Sequence, residues 1–257
     1  MTTTLNANRA LLDLGAIVLL ATLVSPSLVR AEPLPVLMVI ANQDFYYQEY
    51  ASVRNELAAR GLRVVVAAGS TSDAIPQATS SPRGIVTPDV ALSDVSAADY
   101  SAVVFVGGWG ASSYQYAFSG TYQSLAHQPD PYVADAVNRL INDFVDQDKY
   151  VAALSHGVTV LAWARVDGVS PLQGRAVAVW PGGSPALKYE GLAFGRAVVP
   201  ADWHVIQNGG KARTAASTGD PLTSADDVVV DGRIITAENY DSAALFARTL
   251  ALAITGR

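Results

Sequence analysis

Four short apolar runs, each closed by glycine or a polar turn, restrict this chain most. They occupy residues 36–40 (VLMVI), 62–68 (LRVVVAA), 102–106 (AVVFV) and 150–154 (YVAAL). None alternates apolar with polar residues over its length, so both faces of each are expected to be buried. Strands of that kind belong to parallel sheets covered by helices, because parallel neighbours need long, usually helical crossovers. Helical spacing is present where it is needed. Tyr50, Val53 and Leu57 share one face before a stop at Gly61, and Val137, Leu140, Ile141, Phe144 and Val145 share another across residues 135–146. The run at 150–154 passes directly into a helix predicted over 156–165. Further strands are predicted at 176–180 and 228–236, the latter with Asp231-Gly232 suited to a tight hairpin turn. An alanine-rich helix over 242–254 closes the chain. Residues 70–96, rich in Ser, Thr, Pro and Asp, predict a surface excursion, and 214–227 a solvated loop. With no internal repeat and no linker, the pattern predicts one α/β domain with a doubly wound, mostly parallel sheet and helices on both faces.

Composition narrows the function classes. Half of the 257 residues are apolar and 16% are charged, which excludes a disordered chain. The formal net charge is −6, the sequence pI is about 4.9, and there is no basic run. Nucleic acid is therefore not an expected partner. The absence of cysteine excludes disulfides, cysteine zinc sites and thiolate chemistry. His127 and His204 lack ligand spacing, so no metal and no cofactor is expected. Near the start, residues 14–24 (LGAIVLLATLV) form an apolar run too short for a permanent span, which needs about 20 residues. Arg9 precedes it, and Val29-Arg30-Ala31 suits cleavage after Ala31. Residues 1–31 thus read as a signal peptide, with periplasmic or secreted localisation and no stable membrane span after processing. A buried N-terminal helix and an uncleaved anchor are the alternatives.

Ligands of open α/β sheets bind beyond the carboxyl ends of the strands. Three such ends carry informative residues. Ala153-Leu154-Ser155-His156-Gly157 is a strand turning straight into a helix, which holds Ser155 outward beside backbone N–H groups and the positive end of the helix dipole. A serine at a helix start also serves as an N-cap. Gly107-Gly108-Trp109-Gly110 lets backbone N–H groups approach a ligand or oxyanion closely, and equally suits a turn needing positive φ. The loop 42–49 (NQDFYYQE) supplies Asp44, Glu49 and three adjacent aromatics, which can line a pocket or pack as a lid.

The segments VLMVIAN (36–42), VVFVGGWG (103–110), KYVAALSHGVTVLA (149–162) and DVVVDGRIITAEN (227–239) resemble, in order and spacing, the DJ-1/PfpI family of the class I glutamine amidotransferase-like superfamily. The resemblance covers about residues 35–255 and implies a single domain of flavodoxin-like fold, commonly a homodimer. Its members include cysteine-dependent hydrolases, deglycases or glyoxalases, isonitrile hydratases, chaperones and redox sensors, so fold does not fix function. The family's nucleophilic cysteine falls on Ser155, the histidine after it on His156, and the oxyanion-hole glycine on Gly108, whose N–H would act with that of His156. The family's glutamate after the first strand falls nearest Tyr46, with Asp44 and Glu49 as displaced candidates. No Asp or Glu occurs from Gly107 through Gln128, where peptidase-like members place a further acid. Glu238, in the loop after the last strand, is the substitute candidate for orienting His156.

Two functions follow from these expectations. The first is an exported protein with a small-molecule pocket at the strand ends and a binding or accessory role, its cysteine replaced by Ser155. The second is a serine-dependent hydrolase or amidase using Ser155, His156, Glu238 and a Gly108 oxyanion hole. In both, Asp44, Tyr46 and Trp109 are the expected ligand contacts. Tyr114, Tyr116, Phe118 and Tyr122 extend the aromatic stretch from Trp109, as a pocket roof, a dimer contact or internal packing.

Overall fold

The computed structural model describes residues 1–2, 32–193, 199–213 and 227–256. The chain divides into two units, Met1–Glu32 and Pro33–Arg257. Apart from Met1 and Thr2, the segment read as a signal peptide lies outside the described residues, as does nearly all of the predicted loop at 214–227.

The second unit is built on a seven-stranded sheet. Its strands are β1 (Val36–Val39), β2 (Val64–Ala68), β3 (Val90–Ala91), β4 (Ala102–Phe105), β5 (Tyr150–Leu154), β6 (Val228–Asp231) and β7 (Ile234–Ala237). The order across the sheet is β6-β7-β5-β4-β1-β2-β3. All neighbours are parallel except the β6–β7 hairpin, which turns at Gly232 with φ 64°. In β1 the side chains alternate between two apolar layers. Leu37 and Val39 join one core with Val103, Phe105 and Val151. Val36 and Met38 join the other with Val104, Ala152 and Leu154. Both faces are buried, as the uninterrupted apolar runs require.

Helices cover the two layers. α1 (Tyr47–Ala59) and α5 (Ala243–Thr255) pack on one face, where Tyr50, Val53, Leu57, Phe246 and Leu250 are buried. α2 (Pro131–Asp146) and α3 (Gly157–Trp163) cover the other with Val137, Ile141, Phe144, Val158 and Leu161. α2 starts earlier than its apolar spacing alone indicates. Asp130 caps it by accepting from the N–H groups of Tyr132 and Val133, and Pro131 supplies a first-turn position that needs no donor. No helix among the described residues is long and apolar enough to cross a membrane.

Two details differ from the sequence pattern. The strand expected at 176–180 is only Ala176–Ala178, and it pairs with Lys211–Arg213 outside the main sheet. Side chains of the hairpin hold it there: Asp231 accepts from the N–H of Ala176 and from Arg175, and Thr236 accepts from the N–H of Ala178. A short helix, α4 (Ala201–Gln207), was not indicated by periodicity and packs on α3.

Candidate functional site

The carboxyl ends of β1, β4, β5 and β7 meet around one cavity of about 340 Å³. Ser155 stands at its floor. The residue has φ 53°, a left-handed backbone that costs a non-glycine residue free energy and that a sharp strand-to-helix turn imposes. Its N–H is held by the Ala237 carbonyl at 3.0 Å, and its own carbonyl receives the Val158 N–H. Gly157 is required by crowding, because a Cβ there would lie 2.2 Å from the Phe105 carbonyl oxygen. The turn is fixed from below by a chain of buried side chains. Tyr122 donates to Gln115, Gln115 donates to Thr159, and Thr159 donates to the His156 carbonyl.

The acid beside Ser155 is Glu49, from the first turn of α1. Its Oε2 accepts from the Gly107 N–H at 2.9 Å, and its carboxyl hydrogen-bonds the Ser155 side chain. A Cβ on Gly107 would stand 2.5 Å from Glu49 Oε2 and 2.8 Å from Ser155 Oγ, so the glycine is what lets carboxyl and hydroxyl meet. Glu49 is 2% exposed. Burial pushes its pKa up to about 8 despite the lowering by Ser155 and Gly107, so it is protonated at neutral pH. Tyr46, the position nearest to where the resemblance implies a glutamate, precedes α1, lines the cavity and stacks on Tyr240 with centroids 5.7 Å apart. Asp44 lies off the cavity, at φ 60°, and its carboxylate pairs with His127 Nε2 at 2.9 Å.

Gly108 and His156 both line the cavity, and their N–H groups make no hydrogen bond among the described residues. Gly108 needs glycine twice over: its φ is 96°, and a Cβ would lie 2.3 Å from the Asp44 carbonyl oxygen. The His156 imidazole is buried, and its Nε2 has no partner. Burial, reinforced by nearby His127, pushes its pKa down to about 3, so it is neutral. Glu238 is buried at the end of β7 with its N–H on the Asp227 carbonyl. It does not line the cavity.

The remaining wall is aromatic and amide-rich. Trp109 is held by its N–H on Gln77 and by an edge contact of its ring with His127. Gln77, Thr79, Trp180, Asn239 and Tyr240 also line the cavity and were not singled out in the sequence. Asn239-Tyr240 directly follows a parallel strand, which is the signal that could have found them. The rest of the aromatic stretch is divided. Tyr114, Phe118 and Tyr122 are buried in the core, whereas Tyr116 is exposed. His204 is structural: Trp163 Nε1 donates to its Nδ1 at 2.8 Å, which leaves the proton on Nε2. Among the described residues no group of three metal-ligating side chains occurs.

Comparison with solved structures places this architecture. The chain has the fold of the ThiJ/PfpI and DJ-1 proteins. It superposes on a ThiJ/PfpI domain protein from Brachyspira murdochii with a TM-score of 0.61 at 21% identity, over 87% of this chain and 97% of that one. DJ-1beta from Drosophila melanogaster gives a TM-score of 0.59 at 19% identity, over 88% and 92%. A two-domain protein from Anabaena variabilis, containing DJ-1/ThiJ/PfpI-like and ferritin-like domains, gives 0.60 at 19% identity, over 86% of this chain and 48% of that one. No family model and no curated relative matches the sequence.

Proposed function

We propose that this protein binds a small molecule in the cavity at Ser155 and has given up the thiol chemistry of its fold for a binding or accessory role. The observation that carries this reading is the Glu49–Ser155 pair. At neutral pH the carboxyl is protonated and cannot take the hydroxyl proton, and the buried imidazole of His156 makes no bond through its Nε2. A serine hydroxyl without a base is a poor nucleophile. Crystals soaked with a fragment mixture are expected to show compounds beside Ser155; a soak in which every bound compound lies elsewhere overturns the reading. Turnover of 4-nitrophenyl acetate or methylglyoxal at pH 7 is expected to be the same for wild type and Ser155→Ala.

A second reading is favoured by the same pair at higher pH. Once Glu49 ionises, it can accept the Ser155 proton as Oγ bonds to an acyl carbon, with the Gly108 and His156 N–H groups facing the oxyanion. The proton then passes from Glu49 to the leaving group as its bond to the acyl carbon breaks, and water, giving a proton to Glu49, cleaves the acyl–Oγ bond while Glu49 returns that proton to Ser155. This serine hydrolase reading requires a rate that rises with pH through about 8 and is lost in both Ser155→Ala and Glu49→Gln. A flat pH profile, or one unaltered in Ser155→Ala, excludes it. Export and a homodimer belong to the same proposal. They are tested by sequencing the mature N-terminus, expected at Glu32, and by the solution mass.

A further inference from the structure

We propose that the Ser155 cavity selects an uncharged, flat small molecule and binds its carbonyl oxygen through the side-chain amide of Asn239, an inference that rests on the binding reading above. Among the described residues that line the cavity there is no lysine and no arginine, so nothing there compensates an anionic ligand. Its one carboxyl, Glu49, is already engaged by Gly107 and Ser155, so a cation finds no free counter-charge. Transfer of an unpaired charge into such a site costs more than aromatic contact returns. Four aromatic side chains form the walls. Tyr46 and Tyr240 lie nearly parallel, at 21°, and present a flat surface, with Trp109 and Trp180 also on the lining.

Asn239 supplies the polar handle. Its Oδ1 accepts from the Asp241 N–H at 2.6 Å, and its main chain is tied to Ser242 on both sides, so the amide is fixed in one orientation. That orientation leaves Nδ2 buried with no acceptor, in a residue 1% exposed that lines the cavity. A buried amide donor left unpaired is costly, and a ligand oxygen that accepts from it removes that cost.

Benzamide, benzoate and benzamidinium have nearly the same shape and differ in charge. Titrated calorimetrically into the full chain at pH 7, benzamide is expected to bind at least tenfold more tightly than either ion. Asn239→Leu is expected to weaken benzamide at least fivefold. Asn239→Asp, which keeps the Asp241 contact, is expected to lose benzamide and gain benzamidinium. The inference is overturned if either ion binds as tightly as benzamide, if none of the three binds, or if benzamide binds both variants as it binds wild type. Preferred binding of an ion at Ser155 would leave the binding reading standing while removing the ligand class. Ser155-dependent turnover at pH 7 would remove the binding role and leave the charge preference untouched.

Discussion

Glu49 shows two opposing influences on one carboxyl. The first turn of α1 favours a negative charge through the helix dipole, by about 0.3–1 kcal/mol. Removal from water opposes it, and at 2% exposure removal from water wins. Its proximity to Ser155 depends on Gly107, since any side chain there would occupy the meeting point. Gly107→Ala is therefore expected to lower stability by about 1–3 kcal/mol and to displace the Glu49 carboxyl. A thermal melt within error of wild type, with Glu49 unmoved in a crystal structure, would contradict this. Ser155, His156 and Gly108 were legible in the sequence because a strand-turn-helix junction and a glycine pair are local patterns. Glu49 was one of three candidates, and only the turn of α1 chose among them. Asp44 is drawn aside by His127, and Tyr46 by Tyr240.

At the scale of elements, the boundaries follow capping chemistry more closely than apolar periodicity. Asp130→Ala removes the acceptor for two first-turn N–H groups of α2, and is expected to cost about 1 kcal/mol, a fall in Tm of about 2–4 °C. An unchanged melting temperature would show that the cap contributes nothing. The junction between β5 and α3 depends on the Tyr122–Gln115–Thr159 chain beneath it. All three side chains are nearly or wholly inaccessible to solvent, so Gln115→Ala strands two partners at once. The expected cost is about 2–5 kcal/mol, including the cavity left behind. Tyr122→Phe, which removes only one hydroxyl, is expected to cost less. Equal losses in urea unfolding would refute the chain's cooperative role. None of these contacts is periodic in sequence, and only the strands and amphipathic helices were readable there.

The whole molecule inherits a pH profile from three buried groups. His156 and His204 are both held neutral, with folded values near 3 against an ordinary 6.5. Between about 3 and 6.5 the unfolded chain therefore binds more protons at these two sites, and stability rises with pH. Glu49 acts in the opposite sense. Its folded value of about 8 lies above the ordinary 4.5, so the stability that its neutral form contributes is fully present below about 4.5 and is lost as pH rises to about 8. Where the windows overlap, two histidines outweigh one carboxyl. From these three groups stability is expected to peak near pH 6.5, fall slowly to about pH 8 and fall steeply in acid. Glu49→Gln is expected to abolish the alkaline decline while leaving the acid limb in place. Melting temperatures across pH 4–9 test both limbs, and a Glu49→Gln profile parallel to wild type would contradict the assignment.

The sequence by itself determined the layered α/β architecture, because uninterrupted apolar runs can be satisfied only by strands buried on both faces. It also determined which chemistry is absent, since a chain without cysteine cannot offer a thiolate at residue 155. Tertiary structure alone decided what surrounds the serine. Glu49, Gly107, Ser155 and Asn239 come from the ends of four strands or their following helices, far apart along the chain. Their hydrogen bonds, burial and protonation arise only when parallel β1, β4, β5 and β7 bring those ends to one edge of the sheet. Local pattern fixes elements because propensity and periodicity act over a few residues, whereas a pKa is set by everything packed around the group.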